Sequence, residues 1–232
     1  MNSYLKRLLY SRSNKKFIKY HRNMGVKIGE NCEFFGRLFI DIDVTRPSLI
    51  SIGNNVVMTK GVTLLTHGYD WCVFRELYGE SMGSAKSINI GNNVFIGQHV
   101  KLLPGSSIGD NCIIGVGSVV TKHLESNSVY AGNPAKFICT ISDYYEKRKA
   151  SQLEEAIYYA ISIMERYKRM PVMDDFGEFF ELFLERDESK FGNIQVKHQT
   201  RNKFENFMRS KPLFNGFDEF LLHVMHCQKS GS

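Results

Sequence analysis

Large aliphatic residues recur at every sixth position through the middle of the chain: Ile90, Ile96, Leu102, Ile108, Ile114 and Val120. Four positions after each of the first five stands a second inward candidate: Val94, Val100, Ser106, Cys112 and Ser118. Glycine follows the aliphatic residue at Gly91, Gly97, Gly109 and Gly115. A period of six fits neither the 3.6 of a helix nor the 2 of an ordinary strand. It predicts a mainly β fold, a solenoid of very short strands joined by tight turns. The same phase holds earlier at Ile28, Phe34 and Ile40, breaks at Arg46 and Pro47, and resumes at Ile52, Met58 and Leu64. Ile52-Gly-Asn-Asn-Val and Ile90-Gly-Asn-Asn-Val are near-copies, and asparagine suits the left-handed turns such coils need.

The period disappears from His67 to Ser87, a segment mixing aromatics, charges and glycines, and the phase slips across it. A solenoid accepts such an insertion by looping it out, and long loops on rigid scaffolds carry binding and chemistry. Regular repeats are expected to end near Val120, with Ser128 to Cys139 as an extended tail containing a Pro turn. Residues 4–22 read as an amphipathic basic helix, with Leu5, Leu8, Leu9 and Phe17 or Ile18 on one side. It suits a cap over the open end of the solenoid. Its cations also suit weak contact with a membrane surface or an anionic polymer. Past Ser142 the pattern turns helical. One long helix is expected over 144–169, N-capped by Ser142-Asp143 and stopped by Pro171. A Phe-rich helix over 174–185 and weaker helical runs over 201–209 and 216–227 follow. The organisation is then a basic N-terminal helix (1–25), a solenoid (26–140, with the loop 67–87) and an α-helical extension (141–232).

Composition narrows the class. The 232 residues are 43% hydrophobic and 23% charged, as in globular domains, and no run of 18 apolar residues could span a bilayer. No signal-peptide pattern opens the chain, and the five cysteines lie far apart with no CxxC pair. Reduced thiols, a cytoplasmic location and no metal are expected. The net charge is +6, concentrated in Lys6, Arg7, Arg12, Lys15, Lys16, Lys19 and Arg22, with no acid before Glu30.

Four segments together carry a resemblance: Leu65-Thr-His67-Gly-Tyr-Asp, then IGNNVFIG, then PGSSIGDNCIIGVGSVVTKHL, then VYAGNPAKFI. Over about residues 26–140 the chain resembles the hexapeptide-repeat acyltransferases, chiefly the maltose and galactoside acetyltransferases and those of capsular and surface polysaccharides. The resemblance implies a left-handed parallel β-helix with roughly three hexads per coil. It also implies a homotrimer with active sites between subunits, and acetyl-CoA as donor. The chain departs from the family at Gly68, where proline is common after the catalytic histidine, and at Phe95, where tryptophan is common. Its N-terminal segment is basic where the sugar enzymes are acidic.

Acetyl transfer to a hydroxyl needs a base, and an imidazole titrates near neutrality. His67 stands where a regular strand meets the exceptional loop, and it matches the family's catalytic histidine. No Ser-His-Asp or Cys-His set accompanies it, so direct transfer without an acyl-enzyme is expected. By the same resemblance Phe95, Gln98, Val116 and Ser118 line the donor groove. Thr121 and Lys122 match the phosphate-contacting pair, and Lys136 matches a basic residue near the 3′-phosphate. Asp41, Asp43, Tyr69, Asp70 and Trp71 suit a saccharide, which is held by carboxylates on hydroxyls and by flat aromatic faces. Asp70 is also a candidate to orient His67, although three residues apart in a loop fixes no geometry. His99 and His123 read as solvated or subunit-facing, and a three-histidine metal site like that of the γ-class carbonic anhydrases is disfavoured by their separation. The expected activity is acetyl-CoA-dependent O-acetylation of a sugar of a surface polysaccharide or its precursor. The alternatives are N-acetylation of an amino sugar and a non-catalytic solenoid used for binding or assembly; nucleic acid is not expected as a partner.

Overall fold

The computed structural model describes residues 8–230. Leu5, Lys6 and Arg7 of the basic segment lie outside the described residues. Short strands stack into three sheets. Sheet A holds β1 (Lys27–Ile28), β4 (Ile50–Ile52), β7 (Ile88–Ile90), β10 (Ser107–Ile108) and β13 (His123–Leu124). Sheet B holds β2 (Glu33–Phe34), β5 (Val57–Met58), β8 (Val94–Ile96), β11 (Cys112–Ile114), β14 (Ser128–Ala131) and β15 (Lys136–Thr140). Sheet C holds β3 (Asp41–Ile42), β6 (Thr63–Leu64), β9 (Lys101–Leu102) and β12 (Val119–Val120). The chain visits A, B and C in turn, which makes a three-sided coil.

The six-residue pattern becomes three columns of buried side chains. Ile28, Ile52, Ile90, Ile108 and Leu124 pair rung by rung in sheet A. Phe34, Met58, Ile96, Ile114 and Tyr130 do so in sheet B. Ile42, Leu64, Leu102 and Val120 do so in sheet C. All belong to one core, as do the second inward residues Val94, Val100 and Cys112. Burying each such side chain is worth roughly 1.5–3 kcal/mol, which strands of two or three residues could not supply from backbone pairing alone.

Two expectations are corrected. The third rung of the first coil is Ile42, not Ile40: Ile42 pairs with Leu64, while Ile40 is buried but follows a 3-10 turn over Arg37–Phe39. A second 3-10 turn over Pro47–Leu49 lengthens the next corner. The two insertions together amount to one hexad, so the pattern resumes at Ile52 in the same register. Nor do the repeats end at Val120. Leu124 and Tyr130 add two more rungs, after which β15 turns back antiparallel to β14.

The corner between sheets A and B is built from asparagine. Asn31, Asn55, Asn93, Asn111 and Asn127 all have positive φ. Their side chains bond along the column: Asn93 Nδ2 donates to Asn111 Oδ1 at 2.9 Å, and Asn111 Nδ2 to Asn127 Oδ1 at 2.8 Å. At the same corner Gly91 lies hard against the next coil. A Cβ there would stand 2.8 Å from the carbonyl carbon of Gly109 and 2.9 Å from the amide nitrogen of Asp110. Gly91→Ala should therefore cost about 1–3 kcal/mol, read as a lower thermal midpoint by circular dichroism. An unchanged midpoint would show that the coil spacing yields freely.

Helix α1 (Asn14–Met24) starts at Ser13, whose side chain accepts from Lys16 N–H. Residues 8–11 are helical before the turn at 12–13, so among the described residues the basic segment is two helical pieces and not one. Phe17 and His21 are buried, and Phe17 joins the solenoid core against Phe34. Asn14 serves the open edge of β2, donating to Cys32 O at 2.7 Å and accepting from Phe34 N–H at 2.9 Å. Arg22 donates to Ile28 O and Gly29 O beside β1. The side chains of this helix thus take the place of a neighbouring coil, while Lys15, Lys16 and Lys19 face solvent.

The described chain divides into two compact units, one ending at Tyr145 and the other beginning at Glu146. Helix α3 (Ile141–Tyr167) starts one turn earlier than expected, because Thr140 Oγ1 and not Ser142 accepts Asp143 N–H, at 3.1 Å. The Phe-rich stretch is not a helix but two 3-10 turns, Met173–Phe176 and Phe180–Leu182. Phe176, Phe180 and Phe183 are drawn into an aromatic core with Phe217 and Phe220, and this packing overrides the helical spacing. Helices α4 (Val196–Thr200), α5 (Phe204–Arg209) and α6 (Phe217–Ser230) complete the second unit. No helix among the described residues is long and apolar enough to cross a membrane.

Candidate active site

His67 follows β6 at the corner between sheets C and A, where the long loop leaves the solenoid. Ladder pairing of β3 with β6 brings the end of β3 beside it, since Asp43 N–H donates to Leu64 O at 3.1 Å. The result joins two residues far apart in sequence: His67 Nδ1 lies 2.7 Å from Asp43 Oδ2. Both are nearly enclosed, with side chains 12% and 5% exposed.

Asp43 is held on every side. Oδ1 accepts from Thr45 N–H at 2.9 Å and Thr45 Oγ1 at 2.6 Å. Oδ2 accepts from the Thr66 hydroxyl and from Thr66 N–H, in addition to His67. Burial alone would raise its pKa, but the bonds from Thr45, Thr66 and His67 outweigh it and hold the carboxyl well below the usual carboxylate range. An ionised carboxylate only accepts, so Nδ1 carries a proton, and in the neutral ring the lone pair is on Nε2. This overturns two expectations. Asp43 is the partner of His67, and its oxygens are too fully engaged to serve a sugar. Asp70 is not that partner: it precedes helix α2 (Trp71–Tyr78), and its Oδ1 lies over Gly68, where a Cβ would come within 2.7 Å.

The loop is pinned at its base. Lys86 N–H donates to Thr66 O at 2.9 Å, and Gly68 N–H to Ser84 Oγ at 3.2 Å. From His67 an aromatic series runs outward. Tyr69 meets its ring edge-on at 5.2 Å, Trp71 follows at 6.3 Å, and the Arg75 guanidinium lies 5.4 Å from the Trp71 ring. Tyr69 is 67% exposed, a face open to an acceptor.

The remaining expected residues fall in two places. Thr121 and Lys122 are exposed at the C–A corner two coils beyond His67. Gln98 and Val116 are exposed at the corner between sheets B and C, on the other edge of sheet C. Lys136, paired with Ala131, is exposed near that second corner, and Phe95 projects from sheet B. Asp41 is exposed on sheet C. Ser118 is a correction: it is fully buried, donating to Gly115 O at 2.6 Å and accepting from Gly132 N–H at 3.1 Å, so it braces the coil and lines no groove. The described residues contain no group of three metal-ligating side chains.

The fold and site together are a three-sided parallel coil with a nearly enclosed Asp–His pair at the root of a projecting loop. Residues 87–122 match the family model described as bacterial transferase hexapeptide (six repeats). Protein CapG of Staphylococcus aureus is 44% identical over 128 residues, 54% of this chain and 72% of that one. Galactoside O-acetyltransferase of Escherichia coli (strain K12) is 41% identical over 126 residues, 53% of this chain and 59% of that one. A solved galactoside acetyltransferase in complex with coenzyme A is 31% identical, with a TM-score of 0.43, covering 60% of this chain and 79% of that one. The chain belongs to the hexapeptide-repeat acyltransferase family, and its solenoid is the left-handed parallel β-helix of that family.

Proposed function

We propose that the chain is an acetyl-CoA-dependent O-acetyltransferase whose acceptor is a saccharide of a surface polysaccharide or its precursor. The observation that carries this reading is the His67–Asp43 pair, with Nε2 left free beside an exposed aromatic face. The acceptor oxygen attacks the thioester carbonyl while His67 Nε2 takes the hydroxyl proton. The C–S bond then breaks, and the sulfur leaves as the free thiol of CoA by taking that proton from the imidazolium. The products are an O-acetyl ester and CoA, and no covalent bond to the protein forms.

The expected donor contacts support a site shared between copies. Thr121 and Lys122 lie on the His67 corner, while Gln98, Val116 and Lys136 lie at the far edge of sheet C. A rigid coil cannot bring its own two corners together. Two copies side by side can, and the resemblance to the family implies that they do so as a trimer with a donor groove between neighbours. Exposed Lys122 and Lys136 suit the phosphates of CoA as point charges. Lys122→Glu and Lys136→Glu should each raise the KM for acetyl-CoA, and an unchanged KM would remove these lysines from the groove.

The direct test is thiol release from acetyl-CoA across a panel of saccharides, with mass determination in solution. A product that hydroxylamine cleaves is an ester, and a resistant one is an amide. A monomeric active enzyme, or no turnover with any saccharide, defeats the reading.

A further inference from the structure

We propose that Lys60, together with Phe35 and Phe39, forms an acceptor subsite that selects an acidic saccharide. This rests on the O-acetyltransferase reading above. On that reading the donor runs past Gln98 and Val116, which stand on the third and fourth coils of the B–C corner. His67 belongs to the second coil. An acceptor hydroxyl must therefore reach Nε2 from the side of the first coil, opposite the donor. The B–C corner of a neighbouring copy, at the level of the first and second coils, presents Phe35, Phe39 and Lys60.

None of these three side chains belongs to the solenoid core. Phe35 is 50% and Phe39 55% exposed, although phenylalanine is among the residue types most often buried. Lys60 is exposed, and its Nζ sits 4.6 Å from the centre of the Phe39 ring. A cation over an aromatic face is drawn to that position, which restricts an otherwise flexible chain. The backbone is shaped for it. Gly36 has φ +65° in the first coil, and a Cβ there would come within 2.7 Å of Lys60 Cβ, so glycine leaves the lysine stem its place. No carboxylate pairs with Lys60 among the described residues. The neighbouring Arg37 is not comparable, since its guanidinium donates to Ser11 O and Phe34 O.

The chemistry of such a corner is specific. An exposed phenylalanine ring takes the C–H face of a pyranose. An ammonium fixed beside it pairs with a sugar carboxylate and gains nothing comparable from a neutral hydroxymethyl group. A hydrogen bond to a charged group is worth enough to give about ten- to a hundred-fold discrimination. The chain's net charge of +6 favours the same kind of substrate at longer range.

The experiment compares a uronic-acid oligosaccharide with its carboxyl-reduced, neutral counterpart, using the full chain and thiol release from acetyl-CoA. The wild type should favour the acidic acceptor by about ten- to a hundred-fold in kcat/KM. Lys60→Gln should erase that preference by raising the acceptor KM, with the acetyl-CoA KM unchanged; Lys60→Arg should keep most of it. Equal use of the two acceptors by the wild type overturns the assignment, as does a preference that survives in Lys60→Gln. Either of those results, with turnover present, leaves O-acetyl transfer standing. No turnover with either acceptor or with any other saccharide defeats the acetyltransferase reading itself.

Discussion

His67→Ala lowers kcat for acetyl transfer by about two to four orders of magnitude, with acetyl-CoA binding and the thermal midpoint near those of the wild type. The size follows from the role. Removing the imidazole removes the base at the root of the loop, and the hydroxyl must then lose its proton to water. The spared fold follows from the position. His67 lies at a corner, outside the three buried columns, and contributes one hydrogen bond. Titration calorimetry with CoA and a steady-state assay read the two halves separately. Added imidazole should restore part of the rate to the alanine variant. Turnover within a few-fold of wild type would end the role of His67 as base.

Asp43→Asn gives the second large effect, and it reaches further into the structure. The two oxygens of Asp43 accept five hydrogen bonds from Thr45, Thr66 and His67. An asparagine keeps the shape but presents NH2 to one of the two groups of donors. If that NH2 meets His67, Nδ1 must accept, the ring proton moves to Nε2, and the base is blocked. A loss of about two to four orders of magnitude in kcat is expected, with the KM values less affected. The charge also has a pH signature. The folded-state pKa of Asp43 is depressed, so its stabilisation is fully present above the unfolded-chain value near 4 and is lost as the pH falls from there toward the folded value. Asp43→Asn has no such proton to take up. Its stability should fall less steeply than that of the wild type below about pH 4, and identical slopes in acid unfolding would contradict the ionised pair.

The solenoid was legible because its determinant is periodic and local: a buried aliphatic at each rung and a small or left-handed residue at each corner. His67 was legible because it ends a rung and opens the one long interruption. Asp43 was read as a sugar contact because its partner is brought to it only by the pairing of β3 with β6, and the insertions in the first coil disguise that pairing. A residue count cannot separate two compensating turns from an unbroken hexad. Ser118 is a different kind of error. It occupies an inward position of the same pattern that identified Val100 and Cys112, so its burial could have been read directly. The aromatic series Tyr69–Trp71 was visible as composition, but its contact with the His67 ring depends on the path of the loop. In the C-terminal unit the Phe-rich stretch carried a helical spacing, yet its rings are held by partners about forty residues on, such as Phe217 and Phe220.

The treatment of the first and last coils bears on end-to-end association of the solenoid. A stack of parallel rungs has two raw faces, and each is a template on which another stack could grow end to end. At one face Asn14 and Arg22 occupy backbone groups that a newcomer would need. At the other, the reversed strand β15 takes the outer edge of sheet B and presents the wrong polarity for a parallel addition. Trimming either segment to obtain a minimal catalytic core would therefore invite fibre-like polymerisation, even with every residue around His67 intact.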